Sequence, residues 1–294
     1  MSTTQAERTH ARPPHVLTRP ALLDILRTEL ERWGVPWAWQ GPDGASATWA
    51  DSVGPADLDV WCNPPSDRRD ELEASLARAL GAAVVAHTDD ARRLTHTGLA
   101  VETADGLAVV DMTVHDLRVG SVLLVPAEQV QLAASAGGPR LAGVAAAADL
   151  LVRPLLRGRI PAESRIREAR EAWRSATPLE RMRVAELWRV DLGRVSQDIV
   201  NVLDGDSATA SLARRVRRRL LHQTLRPRAL ASTWRQRETI RPAGRRAGPL
   251  GLPTRGVVVA LVGTDGSGKS TVSDELRHRL TALGFETRDA YFGM

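Results

Sequence analysis

The sequence has a single cysteine, Cys62, a single lysine, Lys269, one tyrosine and two phenylalanines in 294 residues. One thiol excludes an internal disulfide and any metal site built from several cysteines. The seven histidines show no metal-ligand spacing. No apolar run approaches the roughly 18 residues that a membrane-spanning helix requires. Residues 1–20 are polar, carry Pro13, Pro14 and Pro20, and lack the apolar core of a signal peptide. These absences describe a cytoplasmic protein with no membrane association, led by a loose tail over residues 1–20. No internal repeat is present.

An apolar share of 43% still supplies real cores, and the length leaves room for two or three domains. The formal charge of +5 is unevenly spread: between Ser211 and Arg246 twelve arginines stand against one acid, Glu238. Such a block can bind phosphate, nucleic acid or anionic lipid. In a chain whose basic residues are nearly all arginine, it reads first as a solvated face. No aromatic or recognition-helix pattern supports nucleic acid specifically, so a nucleic-acid partner is not expected.

Ala21 to Trp33 has helical periodicity, with Leu22, Ile25, Leu26 and Leu30 on one side and Gly34 at the end. Five of the eight tryptophans fall between Trp33 and Trp61 with no basic residues among them, which marks them as packing residues rather than a platform for bases. Ala56-Asp57-Leu58-Asp59-Val60-Trp61 reads as a strand. Its alternation puts Asp57 and Asp59 on the same face, where two like charges repel unless a cation lies between them. A helix follows over Asp67–Leu80, ending at Gly81. Leu99–Thr103 and Leu107–Val114 are two apolar-rich runs joined through Ala104-Asp105-Gly106, a hairpin signal. The second run carries Asp111, which shares its face with Val109 and Thr113.

From Val125 to Thr239 the pattern predicts helices throughout: Leu141–Leu156, Ala162–Ser175 with Ile166, Ala169 and Trp173 on one stripe, and a helix opened by the capping box Thr177-Pro178-Leu179-Glu180 that runs through Leu192 to Gly193. A further helix is expected from Ser207 to Leu225. It carries Arg214, Arg215, Arg217, Arg218 and Arg219, with Leu212, Val216, Leu220 and Leu221 as its apolar side. The Gly- and Pro-rich stretch over residues 241–255 reads as a linker.

Beyond it, Val257 to Val262 is an unbroken apolar run, as for a strand buried on both faces. Gly263-Thr264-Asp265-Gly266-Ser267-Gly268-Lys269-Ser270-Thr271 follows, then apolar residues at helical spacing (Val272, Leu276, Leu280, Leu283), Gly284 as a cap, and a second strand over Phe285–Phe292. Glycines bend the backbone so that N–H groups converge on a phosphate, and the helix N-terminus adds its positive end. Lys269 would reach the β- and γ-phosphates and the Ser270 hydroxyl would hold Mg²⁺.

This segment resembles the P-loop of thymidylate kinases and related nucleoside and nucleotide kinases. The resemblance implies ATP and Mg²⁺ as cofactors, Lys269 as the catalytic cation, Asp265 facing the phosphate acceptor, and transfer of the γ-phosphoryl group to a nucleotide or related small-molecule acceptor. It covers residues 256–294, so the kinase domain is expected to be incomplete as given: either the sequence is a fragment, or a protein partner completes the fold, or nucleotide is bound weakly for another purpose. Residues 21–125 resemble the nucleotidyltransferase fold, in which an Asp-x-Asp strand and a third carboxylate on a later strand hold metal ions. That likeness implies Asp57, Asp59 and Asp111 as metal ligands, while Gly41-Pro42-Asp43-Gly44-Ala45-Ser46 matches the family's phosphate-gripping loop poorly.

The expected architecture is therefore mixed α/β: a nucleotidyltransferase-like α+β domain over 21–125, a helical region over 126–240, a linker, and the start of a P-loop NTPase parallel sheet. ATP-dependent phosphoryl transfer is the first functional expectation. Nucleotidyl transfer at the three aspartates is the alternative. A non-catalytic nucleotide-binding interaction protein is the third.

Overall fold

A computed structural model describes residues 17–42, 45–52, 56–90, 94–104, 106–135, 137–225 and 268–282. The linker, the strands expected at Val257–Val262 and Phe285–Phe292, and the loop residues Gly263, Thr264, Asp265, Gly266 and Ser267 lie outside the described residues.

Helix α1 (Arg19–Trp33) starts two residues before the expected Ala21. The Thr18 side chain accepts from the Ala21 N–H, Pro20 occupies the first turn, and Gly34 closes the helix with a left-handed φ of 61°. Leu22, Leu26 and Leu30 recur at helical spacing and are fully buried. Burial of this kind stabilises by about 2 kcal/mol per leucine.

The strands are β1 (Trp37–Trp39), β2 (Ala56–Cys62), β3 (Ala83–Asp90), β4 (Leu94–Thr103), β5 (Gly106–Val114), β6 (Leu117–Val119), β7 (Val122–Val125), β8 (Gln131–Ala133) and β9 (Arg140–Ala142). Seven of them form one mixed sheet in the order β3-β4-β5-β2-β1-β9-β8, and β6 pairs with β7 apart from it. The β2–β5 and β1–β9 pairs are parallel, and the others in the large sheet are antiparallel. The hairpin expected around Asp105-Gly106 joins β4 to β5, with Thr103 opposite Gly106.

Period-two alternation divides the core in two. Leu58, Val60 and Cys62 of β2, with Ala108, Val110, Met112 and Val114 of β5, face α1 and α3 (Arg69–Leu80), where Leu72, Leu76 and Leu80 complete the packing. Trp37, Trp39 and Trp49 join this core, so these tryptophans serve packing, as expected. Ala38 and Trp61 point to the other face and pack in a second core under the C-terminal helices.

Those helices are α4 (Gly143–Ala147), α5 (Arg153–Leu156), α6 (Glu163–Ser175), α7 (Pro178–Leu192), α8 (Val195–Asp204) and α9 (Ala210–Thr224), with the short α2 (Ala45–Ala50) between β1 and β2. The stretch after Val125 is not helical throughout, because β8 and β9 add a hairpin beside β1. Strands of three residues are too short to display a period of two. Between α4 and α5, residues Ala148–Val152 form a π-helical turn in place of one continuous helix. Pro154 supplies no N–H and its ring would clash with the carbonyl four residues back, which the wider turn relieves. The sequence reading did not delimit α8 within the stretch it expected to be helical, and α9 begins at Ala210, capped by Thr209, not at Ser207. Leu212 and Val216 are buried in α9 as expected, but Leu221 is 52% exposed.

Helix α10 (Lys269–Ala282) follows the described Gly268, whose φ is 79°. Among the described residues no helix is long and apolar enough to cross a membrane.

Candidate active site

Strands β2 and β5 run parallel and side by side, with Asp59 directly opposite Asp111 and Asp57 opposite Val109. All three carboxylates stand on the face turned away from α1 and α3. Trp61, further along β2, marks where that face disappears beneath the helical layer. Asp57, at the other end, is exposed. The register thus gathers the three aspartates at the open end of a strand pair whose opposite face is apolar core.

Strand β4 adds a residue that the sequence did not single out. Gly98 lies opposite Asp111 and His96 opposite Thr113. With no side chain at Gly98, the imidazole has room to lean toward Asp111, and His96 Nε2 hydrogen-bonds Asp111 Oδ1. Burial pushes the Asp111 carboxyl upward, but the bond and charge of His96, followed by Arg153 and Arg157, outweigh it and hold the group below the usual carboxylate range. Asp57 moves the other way: burial raises it first, and the charges of Asp111 and Asp59 raise it further.

The π-helical turn and α5 deliver the cations. Arg153 donates from Nη2 to Asp59 Oδ1 at 2.7 Å and from Nη1 to Asp149 Oδ1 at 3.0 Å. Asp149 lies on the π-helical turn with its side chain only 4% exposed. Its Oδ2 accepts from the Gly41 N–H at 2.7 Å, and its Oδ1 also accepts from Gln40 Nε2 at 3.3 Å. Gln40 N–H donates in turn to the Asp59 carbonyl at 3.1 Å. The result is a closed circuit that ties the segment after β1, the π-helical turn, α5 and the centre of β2. The N–H of Gly41 is therefore committed to a protein carboxylate. Arg157, one turn beyond Arg153, is exposed and lies close enough for its charge to act on Asp57 and Asp111.

Oxygen donors of this kind suit a hard cation such as Mg²⁺. Among the described residues, no three His, Cys, Asp or Glu side chains are gathered tightly enough to hold a metal ion as they stand. Asp59 is engaged by Arg153 and Asp111 by His96, and Asp57 makes no ion pair among the described residues.

The structure thus brings together Asp57, Asp59 and Asp111. Of the other proposed binding residues it describes only Gly268, Lys269, Ser270 and Thr271, at the start of α10. The sequence reading missed His96, Asp149, Arg153 and Arg157. For two of them a signal existed: Asp149 is the lone acid in an Ala- and Leu-rich run, and Arg153 follows it at i+4, the spacing of a helical ion pair.

No protein-family profile matches the chain, and no curated protein matches it. Among solved structures it is similar to JHP933 from Helicobacter pylori at 10% sequence identity and a TM-score of 0.30, over 76% of this chain and 98% of that one. It is also similar to a Helicobacter pylori protein provisionally assigned as a nucleotidyltransferase, at 12% identity and a TM-score of 0.31, over 72% of this chain and 96% of the other. Both likenesses are remote.

Proposed function

We propose that the chain is a metal-dependent nucleotidyltransferase whose site is built on Asp57, Asp59 and Asp111. The observation that carries this reading is the parallel pairing of Asp59 with Asp111, with Asp57 two residues along on the same open face. Burial first, and then the charges of Asp111 and Asp59, raise the Asp57 carboxyl, and a divalent cation among the three would offset the mutual repulsion. Mg²⁺ would be held by these three carboxylates, with Asp59 and Asp111 exchanging contacts with Arg153 and His96, and would supply neutralisation of the reacting phosphate and activation of the attacking hydroxyl.

In the reaction an acceptor hydroxyl oxygen forms a bond to the α-phosphorus of a nucleoside triphosphate. The bond to pyrophosphate breaks, pyrophosphate leaves with the electron pair, and a carboxylate takes the hydroxyl proton. Arg153 fixes Asp59 through one guanidinium nitrogen and is itself fixed by Asp149 through the other. His96 orients Asp111. These contacts preorganise two of the three carboxylates before a ligand arrives.

The test is transfer of labelled nucleotide in the presence of Mg²⁺ by the wild type, Asp59→Asn and Asp111→Asn. Loss of at least a hundredfold in both variants, with folding retained by circular dichroism, supports the reading. Full activity in both removes it.

A second reading, ATP binding at the start of α10, is favoured by one observation: a left-handed Gly268 followed at once by a helix opening with Lys269 and Ser270. Calorimetry with Mg²⁺–ATP on the wild type and Lys269→Ala tests it. Binding lost in the variant supports this reading, and binding unchanged discards it.

A further inference from the structure

Three arginines stand at one corner beside the carboxylates, where the charge of Arg157 acts on Asp57 and Asp111. Helix α5 is followed by Arg157-Gly158-Arg159, and both arginines are exposed. Helix α9 packs on α5 and sends Arg217 across this corner. A Cβ placed on Gly158 would lie 2.6 Å from Arg217 Cδ and 3.2 Å from its Nη1, so the Arg217 side chain lies directly over the glycine between the other two. Gly158 has a φ of 76°, and its missing side chain permits this approach.

Three of the other four arginines of α9 are engaged elsewhere. Arg215 pairs with Asp198 at 2.9 Å, Arg214 donates to its own helix at Ala210, and Arg219 lies against Gly193. By contrast, Arg157, Arg159 and Arg217 form no ion pair among the described residues. Burial, followed by the charge of Arg153 and with Arg159 adding to them, makes the Arg157 cation harder to keep despite Asp59 and Asp111 nearby. A folded protein holds such a cluster at low cost when an anion occupies it. Meanwhile the Gly41 N–H, at the mouth of the same site, is spent on Asp149.

We propose that Arg157, Arg159 and Arg217 form a binding site for a phosphate chain at the edge of the Asp57, Asp59 and Asp111 face. The purpose of the site rests on the nucleotidyl-transfer reading; the binding itself does not. Guanidinium groups from two elements suit several phosphate oxygens at once. The chain belongs to the nucleoside triphosphate or to a phosphorylated acceptor, and the same chemistry serves either.

The experiment is calorimetric titration of the full chain with tripolyphosphate in the absence of divalent cations. The proteins are the wild type, Arg159→Gln/Arg217→Gln, and Lys269→Ala, the last to separate phosphate held at α10. The affected arginines are at the surface, so the double variant should fold, which circular dichroism checks. A loss of affinity of at least tenfold in the double variant, with Lys269→Ala retaining binding, supports the proposal. Equal affinity in wild type and double variant, or no binding by the wild type, overturns it. Displacement of bound tripolyphosphate by a nucleoside triphosphate assigns the rim to the donor, and simultaneous binding of both assigns it to a phosphorylated acceptor; each supports the site. If the aspartate variants lose transfer while the arginine variant binds normally, the rim fails and the nucleotidyl-transfer reading stands. If the arginine variant loses binding while no transfer is found, the rim stands and that reading fails.

Discussion

Arg153 is joined to Asp149 at 3.0 Å through one guanidinium nitrogen, while the other nitrogen reaches Asp59 at 2.7 Å. The Asp149 side chain is 4% exposed and that of Arg153 13%, so this is a largely desolvated pair. Its geometry decides its value, because removing one partner strands the other away from water.

Asp149→Ala should therefore destabilise the protein by about 3–5 kcal/mol, since it leaves Arg153 with one partner fewer and the Gly41 N–H without its acceptor. Urea denaturation measures this. The double variant Asp149→Asn/Arg153→Met should lose less than the sum of the two single variants, because each single change already breaks the pair. Strict additivity would mean that the circuit has no energetic reality.

Trp188 tests the second core. It is fully buried, stacks on Trp173 with ring centroids 5.8 Å apart, and donates from Nε1 to the Leu124 carbonyl at 2.9 Å. Trp188→Ala should cost about 3–5 kcal/mol through cavity formation alone. Met182, on the same helix, is 63% exposed, and Met182→Ala should stay within about 0.5 kcal/mol of wild type. Similar midpoints for the two variants would contradict the assignment of the buried face of α7.

Cys62 is completely buried on the α1 and α3 face of β2, and burial pushes its thiol up to about 12, with only partial relief from Arg69. The thiolate is the reactive form. At pH 8 a disulfide reagent such as 5,5′-dithiobis(2-nitrobenzoic acid) should leave the native protein unlabelled and react with one equivalent once the chain is unfolded in guanidinium. Rapid labelling of the native protein would show that the core is open at β2.

Much of this architecture was readable from local pattern. Asp57 and Asp59 announce a shared face by their spacing, Asp-Gly at 105 and 106 announces the hairpin, and Thr177 to Glu180 announces the start of α7. What stayed hidden depends on partners far along the chain. His96 meets Asp111 through a hairpin register and a glycine at the facing position, and Arg153 meets Asp59 across 94 residues. Neither meeting has a period. Strands β8 and β9 are too short for one, and the π-helical turn at Asp149 interrupts a run that composition alone extends as a continuous helix.

The capping box of α7 yields the last prediction. Thr177 Oγ1 accepts from the Glu180 N–H, and the Glu180 carboxylate accepts from the Thr177 N–H at 2.8 Å. Thr177→Ala should cost about 1 kcal/mol. The backbone bond from Thr177, then its hydroxyl, then Gln131 hold the Glu180 carboxyl below its usual value despite a small opposing effect of burial. A carboxyl lowered on folding stabilises the protein above its unfolded pKa, about 4.3, and loses that contribution as pH falls through the lower folded value. Glu180→Gln should therefore differ most from wild type above pH 5 and converge with it in strong acid. Thermal midpoints of both proteins between pH 3 and 7 measure this, and a gap that widens as the pH falls would show that the carboxylate is not what closes the box.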